Sequence, residues 1–300
     1  MSQTKLRSAE YSINEIVKKS SYQSHASRHD MKHILIKCVK DLHELGFKVA
    51  HVKGFKAKHV FKLVEHWKAQ EKSPGTIKNC LSKLRELGRI LGDEKLVKKE
   101  NTPYEVEARI YKSETNRGIY QLDLSKCTDP YIKLSLEGQR LFGLRREESL
   151  KIVIKEAVRE GHLKLKPSWT KGGIGRNIPI RTEEQKEWIR KVQSLVTPGK
   201  SLIPDSDSYK KHLNRYVNQT TRLMGLKNLH GLRHAYAQNR YRELTAYFSQ
   251  NGNGWDCPFL GGKNKKQMDD AERSIDMKVK HILSRELGHS RTNVTEVYLG

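Results

Sequence analysis

Cysteine is scarce and scattered in this chain. Cys38, Cys80, Cys127 and Cys257 form no CxxC pair and no Cys/His ligand spacing, which argues against a disulfide framework and a zinc site and leaves free thiols in a reducing compartment as the reading. Long apolar runs are missing too. None approaches the roughly 18 residues of a spanning helix, and the N-terminal MSQTKLRSAEYS lacks the apolar core of a secretion signal, so the expected location is the cytoplasm. Internal repeats and low-complexity runs are absent, as is any carboxylate cluster that would suggest a two-metal centre. Acidic residues are in short supply: 34 Asp and Glu stand against 58 Lys and Arg, a formal net charge of +24. A balance so far from neutral points to a polyanionic partner bound in a salt-dependent way. Because the charge is spread along the chain and not gathered in a polybasic tail, nucleic acid is favoured over a membrane surface.

The 300 residues suit one or two domains. Up to about residue 108 the pattern is helical. Met31, Ile34, Leu35, Cys38, Leu42 and Leu45 recur at helical spacing and Gly46 follows as a stop. Val60, Leu63, Val64 and Trp67 form a second stripe. After the break Ser73-Pro-Gly-Thr76, Thr76 is expected to cap a helix with Ile77, Leu81, Leu84, Leu87 and Leu91 inward and Lys78, Lys83, Arg85 and Arg89 on its other positions. This first part reads as a small helical bundle with a basic exterior, residues 1–108. Residues 109–118, poor in periodicity and rich in turn formers and charge, read as a linker. A second domain, 119–300, starts with a helix from Tyr131. A hairpin joins His162–Lys166 to Arg176–Ile180 through a turn bearing Gly172, Gly173 and Gly175, and helices follow over 183–195, 209–223, 232–248 and 271–287. The expected class is mainly α with a small β-hairpin. The polar, glycine-rich stretch 251–266 has no periodicity to explain it.

Reactive side chains recur along this second domain. A tyrosine hydroxyl, with a reference pKa near 10, is a poor nucleophile at neutral pH unless a base or a positive field helps to remove its proton. His230 and His289 are candidates for that help to Tyr298. A phosphate under attack gains negative charge, which planar arginine forks such as those of Arg145 and Arg233 suit. Lys171, in the glycine-bearing turn, is placed to give a proton to a departing oxygen.

Taken in order, these residues resemble the tyrosine recombinases of the phage integrase type, over both domains. Gly143-Leu-Arg145 with Glu148 is similar to the family's first arginine box, and Lys171 to its hairpin lysine. His230-Gly-Leu-Arg233 is similar to the HxxR box, and Leu287-Gly-His289 with Tyr298 nine residues on to the closing box. The N-terminal bundle, with its SPGTIKN entry to a basic helix, is similar to the family's core DNA-binding domain. Two departures stand out: the 251–266 insert lengthens the HxxR-to-histidine interval, and only Leu299 and Gly300 follow Tyr298. So short a tail leads us to expect a closing helix that is loosely held in the absence of DNA.

The resemblance implies a site-specific recombinase or integrase that moves a mobile element by way of a 3′-phosphotyrosyl bond from Tyr298 to DNA. It gives Arg145, Arg233 and His289 the scissile phosphate, Lys171 the leaving-group proton, His230 the tyrosine proton, and Glu148 a supporting place. Lys78, Lys83, Arg85 and Arg89 are the expected DNA contacts of the first domain. No cofactor is implied. The implied partners are double-stranded DNA carrying recombination sites, further copies of the chain assembled as a tetramer on it, and an accessory DNA-bending protein, with nucleoid association when DNA is bound. Two alternatives share much of the pattern: relaxation of supercoils by a type IB topoisomerase, and a non-catalytic DNA-binding protein that has kept the fold.

Overall fold

In a computed structural model, residues 2–22, 24–108 and 114–300 are described, and the chain divides into two compact units, Met1–Ile110 and Tyr111–Gly300. The segment expected as a linker, 109–118, includes residues 109–113, which lie outside the described residues.

The first unit holds helices α1 (Ser2–Lys18), α2 (His25–Glu44), α3 (Ala57–Ala69) and α4 (Pro74–Leu91). Helix α2 packs on the other three. Its face of Met31, Leu35, Cys38 and Leu42 meets Ile13, Leu63, Trp67, Leu81 and Leu84 in a closed core, each large side chain contributing roughly 1.5–3 kcal/mol by leaving water. Trp67 donates its indole N–H to the buried Asp41 carboxylate at 2.7 Å, so the polar end of the ring is satisfied as well. Two expectations are corrected here. Helix α4 is capped by Ser73, whose hydroxyl accepts from the Thr76 amide, with Pro74 at the first helical position. Proline has no N–H to leave unpaired there and its fixed φ suits the first turn, so Thr76 lies inside the helix. Leu45 falls at the C-cap of α2 and is 36 % exposed, because the helix has ended before the stripe reaches it.

The second unit contains α5 (Pro130–Phe142), α6 (Arg146–Lys151), α7 (Ile154–Ala157), α8 (Glu183–Leu195), α9 (Tyr209–Val217), α10 (Gly231–Phe248), α11 (Asp270–Glu286) and α12 (Asn293–Leu299). Helix α9 runs on into a π-helical turn, Asn218–Leu223. An antiparallel sheet, in the order β1 (Val158–Arg159), β2 (His162–Leu165), β3 (Arg176–Pro179), contains the expected hairpin. It adds β1, whose two residues are too few to show alternation in sequence. Helix α10 is the central element. It packs against α5, α11 and α12 and buries Leu232, Arg233, Ala237 and Tyr241, so its N-terminus opens into the middle of the unit. Among the described residues, no helix is long and apolar enough to cross a membrane.

Candidate active site

The centre of the second unit is a buried carboxylate among arginines. Gly143, at φ +59, ends α5 in the left-handed conformation, where an added Cβ would meet the Tyr236 ring. Arg145 then caps α6. Its amide donates to Glu148 Oε2 and its guanidinium to Glu148 Oε1, each at 2.7 Å. From the other side Arg176 grips the same carboxylate with a two-pronged fork, at 2.9 and 2.7 Å, and donates Nε to the Glu286 carbonyl at the end of α11. Burial would raise the Glu148 carboxyl, but the hydrogen bonds and charge of Arg176, with the charges of Arg233 and Arg145, hold it down at about 2. Three cations around one anion leave an unbalanced positive field, which favours a bound anion.

Arg233, one helical turn beyond His230 and 1 % exposed, is anchored by the carbonyls of Gly143 and Leu287, the turns that end α5 and α11. Its Nε is buried with no hydrogen-bond partner among the described residues. Burial, reinforced by Arg145, lowers its guanidinium to about 10. Beyond α11, Gly288 at φ +64 leaves no room for a Cβ beside the Arg176 side chain, and this turn delivers His289 to the cluster. His289 Nε2 lies 3.3 Å from Arg233 NH2, and its Nδ1 lies 3.1 Å from the Thr295 hydroxyl. Arginine only donates, so Nε2 is the acceptor of that pair, and Nδ1 of the neutral ring carries the proton.

Tyr298, on α12, is 6 % exposed. Its hydroxyl is 2.9 Å from His230 Nε2, its ring stacks on His289 with centroids 5.3 Å apart, and its carbonyl accepts from Gln238 of α10 at 2.8 Å. The closing tyrosine, expected to be loosely held, is docked against its neighbours in this structure. Burial first, then the facing arginines, push His230 down to about 4 and His289 to about 3. Both rings are therefore neutral at pH 7.

Arg145, Glu148, His230, Arg233, His289 and Tyr298 are thus brought together. Lys171 is not. It sits exposed in the open turn between β2 and β3, hydrogen-bonded to none of the described residues. In the first unit, Lys83 is buried, with its ammonium 3.9 Å from the Tyr22 ring centroid and 3.5 Å from Asp30. Arg85 is tied to the Lys98 carbonyl and Asn101, and Arg89 to Glu86. Lys78 is half-buried.

Sequence reasoning missed two members of the cluster. Arg176 occupies an inward position of β3, on the same face as Ile178 and alternating with the exposed Asn177, and a charged residue in that register is the signal that could have found it. His234 follows the HxxR motif directly. Its ring centroid is 4.4 Å from that of Tyr298, its Nδ1 has no partner among the described residues, and burial with His230 and Arg117 lowers it to about 4. The segment ahead of the motif also closes on α10, where Ile119 donates to the Gly231 carbonyl and Asn116 accepts from Gln238.

Residues 7–97 match the family "Phage integrase, N-terminal", and residues 108–239 match the family "Integrase". No curated protein sequence matches the chain. Among solved structures the fold is similar to that of XerH site-specific recombinase bound to a palindromic difH substrate, with TM-score 0.53 and 16% identity over 97% of this chain and 81% of that one. It is also similar to lambda integrase in a tetramer bound to a Holliday junction (0.52, 16%, 86% and 78%) and to the Tn1549 transposon integrase in complex with circular intermediate DNA (0.50, 14%, 99% and 95%). At such identities the likeness is one of fold.

Proposed function

We propose, from the premise that this chain belongs to the phage-integrase family of tyrosine recombinases, that it is a site-specific recombinase that cleaves and rejoins the DNA of a mobile element through Tyr298. The observation that carries the reading is the 2.9 Å contact between the Tyr298 hydroxyl and a neutral His230, set against a positive field at the centre of the unit.

In this mechanism a DNA phosphate enters the field of Arg145 and Arg233. The unpartnered Arg233 Nε donates to one non-bridging oxygen. Glu148 and Arg176 keep Arg145 and the turn of Gly288 in place. The Tyr298 oxygen attacks phosphorus as its proton passes to His230 Nε2. A P–O bond forms, the bond to the 5′ oxygen breaks, and that oxygen takes a proton from Lys171, leaving a 3′-phosphotyrosyl link and a free 5′-hydroxyl. Lys171 enters from its turn when DNA is bound; among the described residues nothing lies within 4 Å of a Cβ added at Gly172 or Gly173, so the turn is open on that side. The phosphate's negative charge offsets the arginine field on His289 and favours a proton on its Nε2, turning it into a second donor. Rejoining runs the same steps backwards, so the energy of the broken bond is kept in the covalent link. The net charge of +24 supports binding to DNA, and assembly of several copies on paired sites completes the proposal.

The test is to incubate the protein with nicked duplexes from the flanks of its element and digest any covalent adduct. The proposal expects a nucleotide-bearing peptide modified at Tyr298 through a 3′-phosphate. Attachment at another residue, or through a 5′-phosphate, would overturn it.

A further inference from the structure

The stretch between α10 and α11, which no sequence periodicity accounts for, is built into the unit and ends against the helix that carries Tyr298. Its first half is bolted to α10. The Trp255 amide donates to the Thr245 hydroxyl at 3.0 Å, and the Trp255 indole donates to the Tyr241 hydroxyl at 3.2 Å, which in turn donates to Asp276 on α11 at 2.7 Å. Gly254 lies so close to α10 that an added Cβ would run into the Arg242 carbonyl. Cys257 is fully buried. A single 3-10 turn, Pro258–Leu260, closed by Gly261 at φ +88, then aims Phe259 at the end of α12. An added Cβ on Gly300 would lie 3.0 Å from the Phe259 amide nitrogen and 3.1 Å from its ring. Pro258 and Met268 share with Asn293, Val297 and Gly300 a cleft of about 670 Å³ between the insert and α12.

Helix α12 has seven residues. A helix this short, well below the roughly 12–15 residues at which isolated helices become even marginally stable, needs external contacts to persist. On one side it has them from α10 and from the turn that follows α11, through Gln238 to the Tyr298 carbonyl and Thr295 to His289. On the other side it has the insert. We infer that the insert is a support for the nucleophile within the same chain, and that Phe259 is a positioning residue that holds α12 where the Tyr298 hydroxyl meets His230. This deepens the recombinase reading and rests on it for the rate effect.

The test compares Phe259→Ala and Phe259→Leu with the parent protein in single-turnover cleavage of a nicked duplex at saturating DNA, alongside duplex affinity and amide exchange. Phe259→Ala is expected to slow adduct formation by roughly 100-fold, as a misplacement of about 1 Å does, with affinity for the duplex unchanged. Exchange in residues 293–299 should be faster while α10 stays protected, and Phe259→Leu should recover most of the rate. Cleavage at the parent rate, or rate, affinity and α10 protection all falling together, would overturn the inference. A parent protein that forms no adduct would count against the recombinase reading and not against the support. In that case faster exchange confined to α12 in Phe259→Ala upholds the support, and unchanged exchange sinks it.

Discussion

Replacing Glu148 with glutamine keeps the size of the side chain and removes the carboxylate charge that the buried arginines surround. The parent carboxylate is fully buried and accepts both prongs of the Arg176 fork as well as the Arg145 guanidinium and amide. Glutamine offers one acceptor and turns an N–H toward a guanidinium. Moving the carboxyl from its ordinary 4.5 to about 2 corresponds to about 3 kcal/mol in favour of the folded state, at about 1.4 kcal/mol per tenfold change in the proton equilibrium. That falls in the range for breaking one side of a buried ion pair. For a unit of this size the loss lowers the melting temperature by roughly 6–12 °C. The pH dependence gives a second check. A carboxyl whose folded pKa is depressed adds stability above its unfolded pKa and loses it as pH falls through the folded value. The gap between parent and Glu148→Gln in calorimetric melts is therefore full at pH 7 and narrows from 4.5 towards 2. A variant melting within about 2 °C of the parent at pH 7, or a gap that acid does not narrow, would refute this account of the cluster.

Acid should act on the histidines first. His230, His234 and His289 are held near 4, 4 and 3 in the folded protein, so the unfolded chain takes up more protons below about 6.5, and stability falls from there downward. Thermal melts between pH 7 and 5 check this, and His234→Gln should flatten the slope. Gly143→Ala, which puts a Cβ at positive φ against the Tyr236 ring and disturbs a carbonyl that holds Arg233, should cost about 2 kcal/mol or more in urea unfolding; a midpoint equal to the parent's would contradict the packing described. In the first unit, Lys78→Ala should weaken duplex binding and reduce its salt slope by about 1. Lys83→Ala, which removes the ammonium buried between Tyr22 and Asp30, should lower stability more than affinity. The reverse pattern would reassign the two lysines.

Much of the helical frame was legible because it rests on apolar spacing, a local property. Helix α8 coincides with the range expected for it, α10 differs by one residue at its start, and α11 by one residue at each end. The cap of α4 is ambiguous in the sequence because Ser73 and Thr76 are both good capping residues, and Pro74 settles the choice only when read as a first helical residue. Strand β1 pairs through two residues, too few for any pattern. In the candidate site, residues with motif spacing could be found one by one, whereas Arg176 and His234 act through contacts that exist only after β3, α10 and α11 have packed. Lys83 shows the same limit from the other direction. It has the spacing of a surface lysine on a basic helix, and only the tertiary structure shows Tyr22 and Asp30 closing over it. The insert was opaque because its fixed points are single hydrogen bonds and close glycine contacts, which leave no periodic trace.

In the proposed reaction the Tyr298 oxygen attacks DNA. Substituting Tyr298→Phe removes that oxygen and keeps the ring against His289 and His234. On a nicked suicide duplex from the element's flank, the parent protein should accumulate a covalent adduct, while Tyr298→Phe should bind the same duplex with equal affinity and form none. An adduct that persists in Tyr298→Phe would contradict the account.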